Sequence, residues 1–424
     1  MAAALGPLGV VAPPPAPRAC RGDARRLLGG APRCKLRLHK SKGGIVAVAS
    51  NSFNEDEILA GILRWVAIES PTVDRAAVNR MMDEAAATMR ELGATIDRIP
   101  GVDGFGDVVR ATIPGREDGP GVLVLGHLDT VHLVGTADDA LKIRREGDKV
   151  YGPGILDMKG GMYLATYSVR QLLRQWSGAP RRRITFLFIP DEEVGSPSTR
   201  ALIEREARAH AHVLVPEPGM DGRIVTARHA FLRFKLHVFG KPAHAGAHNR
   251  AGASAIRAMA RLIETIEGWS DLERGKTFSV GIVNGGTFVN VVPIECHAEV
   301  LCVAPTPADF DDIVARMAAL EAPFPGTRVE VERGPVRPLF RDNVGTQALW
   351  AKAKAFADAQ GLHVYSGQFG GGSDGNFTGA LGIPTLDGLG VGGAGPHTHG
   401  EHLLVSSLVP RARLFAELVD DLAG

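Results

Sequence analysis

The chain has 424 residues, of which 45% are hydrophobic and 22% charged, as is typical of a globular protein large enough for two domains. It contains no run of about 18 apolar residues, so no membrane span is predicted. The formal net charge is +1, but residues 1–50 hold nine of the 48 Lys and Arg residues and one of the 47 acidic residues. The remaining chain is therefore acidic, and without a basic stripe it is not expected to bind nucleic acid.

Residues 1–50 are rich in Pro, Gly and Arg and have no amphipathic period, which predicts a disordered extension or a start site placed too early. No basic residue precedes the short apolar part, so a secretory signal is poorly supported, whereas the Arg content leaves an organelle transit peptide open. The absence of CxxC spacing favours reduced thiols and a cytoplasmic location. The four cysteines are Cys20, Cys34, Cys296 and Cys302.

Helices and strands alternate in the next segment. Asn54 can cap a first helix, with Glu57 three residues later in a variant of the capping box. The apolar runs "GVLVLG" (121–126) and "RITFLFI" (183–189) predict buried central strands. Further elements are a strand near 150 and helices at about 76–92, 159–176 and 198–210. This alternation predicts an α/β protein with a mostly parallel sheet covered on both faces.

The pattern changes after about residue 225. "FLRFKLHVFG" (231–240) alternates like a half-buried strand and opens a β-α-β-β-α-β order, which is ferredoxin-like. The later elements are helices at about 253–269 and 308–320 and strands at about 278–283, 294–303 and 327–334. From about residue 340 the α/β pattern resumes, ending in a helix after Val405. We predict a catalytic domain in two parts, 51–225 and 337–424, around an inserted domain at 226–336.

Histidine and carboxylate side chains follow the predicted strands. In "GHLDTV", Asp129 can orient the His127 imidazole while the other ring nitrogen binds a metal, although a structural His–Asp pair is the alternative. In "YGPGILDMKGG", Asp157 is either a helix N-cap or a ligand, and the adjacent glycines allow close backbone approach.

Two further strand ends carry glutamates. "FIPDEEVGS" crowds three carboxylates, Asp191, Glu192 and Glu193, which repel one another unless a cation neutralises them. Because adjacent residues project differently, one glutamate can bind metal while its neighbour acts as a general base; the alternative is a solvated acidic turn. Glu217 in "LVPEPG" ends another apolar strand, and alone it is only a loop glutamate.

A histidine cluster, "GAGPHTHGEH" (393–402), contains His397, His399 and His402. Its spacing does not decide whether three, one or none of them binds a metal. Together with His127, Asp157, Glu193 and Glu217, one of these histidines would give two imidazoles and three carboxylates. That mixture suits two zinc ions sharing a carboxylate bridge, with Co²⁺ or Mn²⁺ as substitutes.

The motifs "GHLDTV", "GPGILDMKGG", "DEEVGS", "EPG", "GKPAHAG" and "GAGPHTHGE" resemble, in order, those of the M20 metallopeptidases, most closely the glutamate carboxypeptidase branch. The resemblance covers about residues 55–424. It implies a zinc-peptidase catalytic domain with an inserted ferredoxin-like dimerisation domain. It also implies a cis peptide bond between Asp157 and Met158.

The resemblance assigns roles to individual residues. His127 and Glu217 would hold one zinc, Glu193 and His397 the other, and Asp157 would bridge them. Asp129 would orient His127, and Glu192 would be the general base that passes a proton from the bridging water to the leaving amine. His399 is the second choice of ligand, and His402 is expected to face solvent or to start the closing helix.

The inserted domain is implied to form a homodimer and to complete the site. His244 in "GKPAHAG" would stabilise the oxyanion across the dimer interface, although it could be a simple turn histidine. Asn290 in "FVNVVP" and Arg337 in "PVRPLF" would bind the substrate carboxylate, and a guanidinium can do so through two hydrogen bonds. The alternative for Arg337 is a solvated surface cation.

These residues predict a dizinc hydrolase that cleaves an amide bond next to a free carboxylate, such as that of a C-terminal glutamate, in a small peptide or N-acyl amino acid. An N-acyl amino acid deacylase of the acetylornithine type is the alternative, and Glu217 weighs against it because that branch tends to have Asp there. A catalytically inactive binding protein is a third hypothesis, which the presence of Glu192 disfavours.

Overall fold

The computed structural model describes residues 53–176 and 178–424, so the predictions for residues 1–50 lie outside the described residues. The α-helices, numbered in chain order, are α1 Glu55–Val66, α2 Arg75–Glu91, α3 Lys159–Gln175, α4 Arg200–Arg208, α5 Ala255–Glu267, α6 Pro307–Ala318, α7 Val344–Ala359, α8 Gly375–Ala380 and α9 Leu408–Ala423. The strands are β1 Thr95–Ile99, β2 Val108–Ile113, β3 Val122–His127, β4 Arg144–Glu146, β5 Lys149–Tyr151, β6 Ile184–Ile189, β7 His212–Leu214, β8 Arg223–Arg228, β9 Ala230–Phe239, β10 Thr277–Gly285, β11 Glu295–Ala304, β12 Arg328–Arg337, β13 Tyr365–Phe369, β14 Thr385–Leu386, β15 Gly393–Ala394 and β16 His402–Leu404.

The largest sheet has six strands in the order β1-β2-β6-β3-β7-β14. The strands β6, β3, β7 and β14 run parallel, and β2 and β1 add antiparallel pairs at one side. β3 and β6 are buried along their whole length, as expected for continuous apolar runs in the middle of a helix-covered sheet. The predicted mostly parallel α/β sheet is therefore confirmed.

Helix α1 begins at the predicted cap. The Asn54 side chain accepts hydrogen bonds from the N–H groups of Asp56 and Glu57 at 2.8 and 3.1 Å. The return half of a capping box is replaced by Tyr167 of α3: the Asn54 N–H donates to its hydroxyl, which in turn donates to the Glu57 carboxylate. This link ties the start of α1 to α3.

A second, antiparallel sheet consists of β9, β10, β11 and β12 in the order β10-β11-β9-β12 and is called the lid sheet below. Its two central strands, β9 and β11, alternate between buried and more exposed residues, as in a sheet with one face on a core. Helices α5 and α6 cover the buried face and share a hydrophobic core with it, separate from that of the large sheet. The elements follow the predicted β-α-β-β-α-β order.

The lid sheet joins the rest of the chain at two points, at the junction of β8 with β9 and just after β12. The two points are hydrogen-bonded: the Arg228 N–H donates to the Phe340 carbonyl at 2.9 Å, and the Phe340 N–H donates back at 3.1 Å. The buried Arg228 guanidinium also pairs with Asp387 through two contacts of 2.7 Å. In the part of the chain that the structure describes, no helix is long and apolar enough to cross a membrane.

Candidate active site

The candidate site lies at the carboxyl ends of the parallel strands. His127 is the last residue of β3, and Glu192 and Glu193 begin the turn just after β6, which pairs with β3 in parallel. Glu217 follows β7, the neighbour of β3 on its other side. Because parallel strands end at the same edge of a sheet, three distant segments bring their polar side chains together there.

Two groups of side chains at this edge could each hold a metal ion, and they share Asp157. The first consists of His127, Asp157 and Glu217, in which the His127 Nε2 lies 3.3 Å from one Asp157 oxygen and 3.8 Å from Glu217. The second consists of Asp157, Glu193 and His397, in which the His397 Nε2 lies 3.2 Å from the other Asp157 oxygen and 3.0 Å from Glu193. The five predicted ligands are thus brought together, and the bond between Asp157 and Met158 is cis.

His397 enters this cluster from a loop between β15 and β16. Its backbone φ is 63°, in the left-handed region that few residues other than glycine adopt. Hydrogen bonds with Asp157 and Glu193 raise the pKa of His397 to about 11. The other two histidines are arranged differently: the His399 ring lies 6.5 Å from that of His132, and His402 sits in β16, six residues before α9, with its Nδ1 2.8 Å from the Gly400 carbonyl.

Burial and neighbouring charges shift the pKa values of the three carboxylates of the cluster in different directions. Burial and the charge of Asp157 raise the pKa of Glu217 well above its ordinary value. Burial also raises the pKa of Glu193 to about 7, although a hydrogen bond with His397 opposes this. Burial would likewise raise the pKa of Asp157, but hydrogen bonds from His127 and His397 bring it below its usual range. A bound cation would relieve this crowding of buried negative charge.

Asp129 supports the cluster mainly through contacts that the sequence did not indicate. The His127 Nδ1 lies 2.9 Å from the backbone carbonyl of Asp129 and 3.4 Å from its carboxylate. That buried carboxylate accepts a hydrogen bond from the Thr72 hydroxyl at 2.7 Å and from the N–H groups of Glu192 and Glu193 at 3.2 Å. Asp129 therefore positions both the imidazole and the two glutamates.

Glu192 and Arg337 form an ion pair, with 2.6 Å between the Arg337 Nη1 and the Glu192 Oε1. The other Glu192 oxygen lies 3.9 Å from the His127 Nε2. The buried Asp374 carboxylate lies 3.6 Å from Arg337, and burial raises the pKa of Asp374 to about 7. The arginine thus contacts a carboxylate of the site and is not a solvated surface cation.

Glu401 is a supporting residue that sequence reasoning did not assign. Its buried carboxylate accepts hydrogen bonds from the N–H groups of Leu156 and Asp157 at 2.8 and 3.1 Å, and it lies 2.8 Å from the His132 Nε2. The loop that carries His397 therefore also holds the backbone of Asp157. Only its position four residues after His397 could have drawn attention to Glu401.

A cavity of about 170 Å³ opens beside the cluster and is lined by Glu192, Glu193, His397 and Arg337 together with residues of the lid sheet. Among the latter are Phe231 and Leu301, which give it an apolar wall, and Arg233. The Arg233 Nη1 donates to the Val194 carbonyl at 2.8 Å. Arg233 is a second cation at the cavity, and no motif in the sequence singled it out.

His244 and Asn290 lie elsewhere on the surface. Both are exposed, and they belong to neighbouring segments beyond the ends of β9 and β10, where the Ala245 N–H donates to the Asn290 carbonyl at 3.0 Å. The His244 Nδ1 accepts from the N–H groups of Gly246 and Ala247 at 3.2 and 3.1 Å. The structure thus groups these two residues with each other rather than with the carboxylate cluster.

The chain is similar to known proteins in sequence and in fold. Residues 123–421 match the model of peptidase family M20/M25/M40. The chain is 30% identical to carboxypeptidase G2 from Pseudomonas sp. (strain RS-16) over 379 residues, covering 87% of this chain and 89% of the relative. It is 27% identical to an acetylornithine deacetylase from Myxococcus xanthus over 235 residues, covering 51% and 59% of the two chains. The structure of an M20 family metallo-carboxypeptidase from Sulfolobus solfataricus is similar in fold, with a TM-score of 0.71 at 16% identity over 86% of this chain and 99% of the other.

Proposed function

The chain belongs to peptidase family M20/M25/M40 and is a metal-dependent peptidase or amidohydrolase, and we propose that it is a dizinc carboxypeptidase, which cleaves an amide bond next to a free carboxylate. The observation that carries this proposal is the pair of ligand groups joined by Asp157 beside Glu192. A small peptide or an N-acyl amino acid, including one that ends in glutamate, is the proposed substrate.

The donor set fits two zinc ions. His127 and Glu217 would hold one, Glu193 and His397 the other, and Asp157 would contribute one oxygen to each, since its two oxygens already face the two imidazoles at 3.3 and 3.2 Å. Imidazole with carboxylate suits Zn²⁺, and Co²⁺ or Mn²⁺ can take the same ligands. When bound, such ions polarise a carbonyl and lower the pKa of water to about 7.

Glu192 is the proposed general base. Its carboxylate borders both the ligand cluster and the cavity, so it can take a proton from the attacking water and deliver it to the leaving amine. The Asp129 carboxylate accepts a hydrogen bond from the Glu192 N–H and so holds the backbone of the base beside the ligand cluster.

Arg337 is proposed to bind the substrate carboxylate. In this structure its partner is Glu192, at 2.6 Å. A substrate carboxylate in the cavity would compete with Glu192 for this guanidinium. If Arg337 paired with the substrate instead, Glu192 would be free to act as a base. Substrates without a carboxylate would leave the base paired, which supports a preference for a free carboxylate next to the cleaved bond.

A homodimer is proposed to complete the site through His244 and Asn290, which would act on a partner's cluster. Support comes from exposed apolar residues on β10, an edge strand of the lid sheet, and on the loop after it: Ile282, Val283, Phe288 and Val289. An exposed apolar patch on a sheet edge is typical of an association surface. The proposed dimerisation domain is residues 226–336.

An N-acyl amino acid deacylase is the second candidate, supported by the similarity to the Myxococcus acetylornithine deacetylase. Both reactions hydrolyse an amide with the same residues, and they differ in the group on the amino side. The hypothesis of a catalytically inactive binding protein is weakened by Glu192, since loss of the base would be expected in such a protein.

A substrate panel tests the proposal. Purified protein loaded with Zn²⁺ should hydrolyse peptides or N-acyl amino acids with a free carboxylate, and EDTA should abolish the activity. Amidated versions of the same substrates serve as controls and should be poor substrates. Preference for N-acetylornithine over peptides would favour the deacylase, and no hydrolysis of any compound, with or without EDTA, would refute both.

A further inference from the structure

A pair of histidines lies on the exposed face of the lid sheet, away from the carboxylate cluster. His237 of β9 and His297 of β11 are directly opposite in the antiparallel register. Their Nδ1 atoms are 2.9 Å apart, and the rings are nearly perpendicular, with centroids 4.8 Å apart. We propose that His237 and His297 form a binding site for a divalent transition-metal ion that is separate from the catalytic centre.

The spacing of the two nitrogens suits chelation. A tetrahedral Zn²⁺ with bonds of about 2.0–2.1 Å to two imidazole nitrogens holds those nitrogens roughly 3.4 Å apart. The Nδ1 atoms at 2.9 Å reach that separation by small rotations of the side chains. The two strands are already in register, so binding requires no change in the backbone.

Glu295 lies near the second ring nitrogen of His297. One of its carboxylate oxygens is 3.7 Å from the His297 Nε2, while the Nδ1 of the same ring faces His237. Metal-binding histidines commonly have a carboxylate at their second nitrogen, which fixes the tautomer and makes the ligand more basic.

Two residues with side-chain oxygens lie opposite the histidines on the outer strands of the lid sheet, and one of them, Glu330, is paired with Arg328. In the registers of the lid sheet, Glu330 of β12 is opposite His237, and Asn284 of β10 is opposite His297. All four residues lie on one face, because strands present directly opposite residues to the same side. Two imidazoles with flanking oxygens favour Zn²⁺, Cu²⁺ or Ni²⁺ over Mg²⁺ or Ca²⁺.

The site is distinct from the catalytic centre but on the same face of the lid sheet as the cavity. His237 is four residues beyond Arg233 on β9, which corresponds to about 13 Å at the rise of an extended strand. The His297 side chain is 46% exposed, so an ion can reach it from solvent. A bound ion would tie β9 to β11 on the side that faces the substrate cavity.

The proposal is tested by measuring how many Zn²⁺ ions the full chain binds and how tightly. Protein stripped with a chelator and equilibrated with buffered free Zn²⁺ should bind one more equivalent than H237Q or H297Q, or should bind that equivalent at least about tenfold more tightly. The matched control is H363Q, which removes an exposed histidine outside the lid sheet and should bind as much as the unmodified protein. Equal stoichiometry and affinity in all four proteins would overturn the proposal and leave only a hydrogen bond between the two imidazoles.

Spectroscopy on the unmodified protein removes any dependence on the folding of a variant. When Cu²⁺ is titrated into the unmodified protein, one of the bound ions should show electron paramagnetic resonance coupling to two nitrogens, whereas each catalytic group supplies one imidazole. Coupling to fewer than two nitrogens would contradict the assignment. Both measurements are independent of the proposed function, because metal binding is measured whether or not a substrate is hydrolysed.

Discussion

At the scale of single residues, the position of a side chain after a strand carried most of the information. His127, Glu193 and Glu217 follow β3, β6 and β7, and parallel pairing of those strands brings them together. The contacts that hold these side chains in place could not be predicted from the sequence. Glu401 reaches Asp157 across 244 positions of the chain, and a carboxylate that binds backbone N–H groups requires no particular side chain in its partner.

The three histidines near the C-terminus are expected to behave differently from one another. H397A should bind about one metal ion fewer per chain than the unmodified protein, because His397 is the only imidazole in the second ligand group. H399A is the control and should bind as much metal as the unmodified protein, since the His399 ring lies beside His132. Metal analysis of the purified variants, supported by circular dichroism, checks this. Loss of metal in H399A but not in H397A would show that the ligand is misassigned.

At the scale of elements, the long periodic segments were predictable and the short ones were not. Helices α2 and α3 begin and end within about two residues of their predicted bounds, because amphipathic helices repeat their pattern over several turns. Strand β1 was not predicted: it is short, and none of its residues is buried. β14 and β15 have two residues each, which is too few for any period to appear.

The junction of α4 with β6 should make stability depend on pH. The His210 Nδ1 lies 2.7 Å from the Glu206 carbonyl, and its Nε2 lies 2.9 Å from the Thr185 hydroxyl, so the neutral ring fits this buried position. Burial lowers the pKa of His210. The unfolded chain, with a pKa of about 6.5, therefore takes up a proton first as the pH falls, and the free energy of unfolding decreases below that pH.

Denaturant unfolding of H210Q and the unmodified protein at pH 7.5 and 5.5 measures this contribution. The unmodified protein should be the more stable at pH 7.5, and the difference should shrink at pH 5.5, by up to about 1.4 kcal/mol for each unit of pKa shift. Comparing the two proteins removes the contribution of the other titrating groups. A stability difference that does not change with pH would show that His210 does not titrate in this way.

At the scale of the whole molecule, the sequence predicted two kinds of sheet but did not indicate which residues of the second sheet line the cavity beside the first. Phe231, Arg233 and Leu301 bring the lid sheet to the cavity, while His244 and Asn290 face solvent. Motif spacing places residues along one chain and contains no information on a second copy. The trans arrangement of His244 therefore stays a proposal that depends on association.

Disruption of the exposed apolar patch should separate the copies. Glutamates in place of Phe288 and Val289, which are 70% and 103% exposed, would place two like charges on each side of the proposed interface. The variant F288E/V289E should run as a monomer in light scattering and lose most of its activity. The control V73E/V344E changes two other exposed valines and should remain dimeric and active. An unmodified protein that is monomeric and fully active would contradict the homodimer.

The central claim is that Glu192 is the general base that takes a proton from the attacking water, and that other residues bind the two metal ions beside it. E192Q tests it most directly, because glutamine keeps the size of the side chain and an oxygen that can accept from Arg337 but cannot act as a base. Turnover of the best substrate and metal content should be measured on the same preparation. The account predicts unchanged metal and turnover lower by about 10²–10⁴-fold or more. Equal turnover in E192Q and the unmodified protein would contradict it.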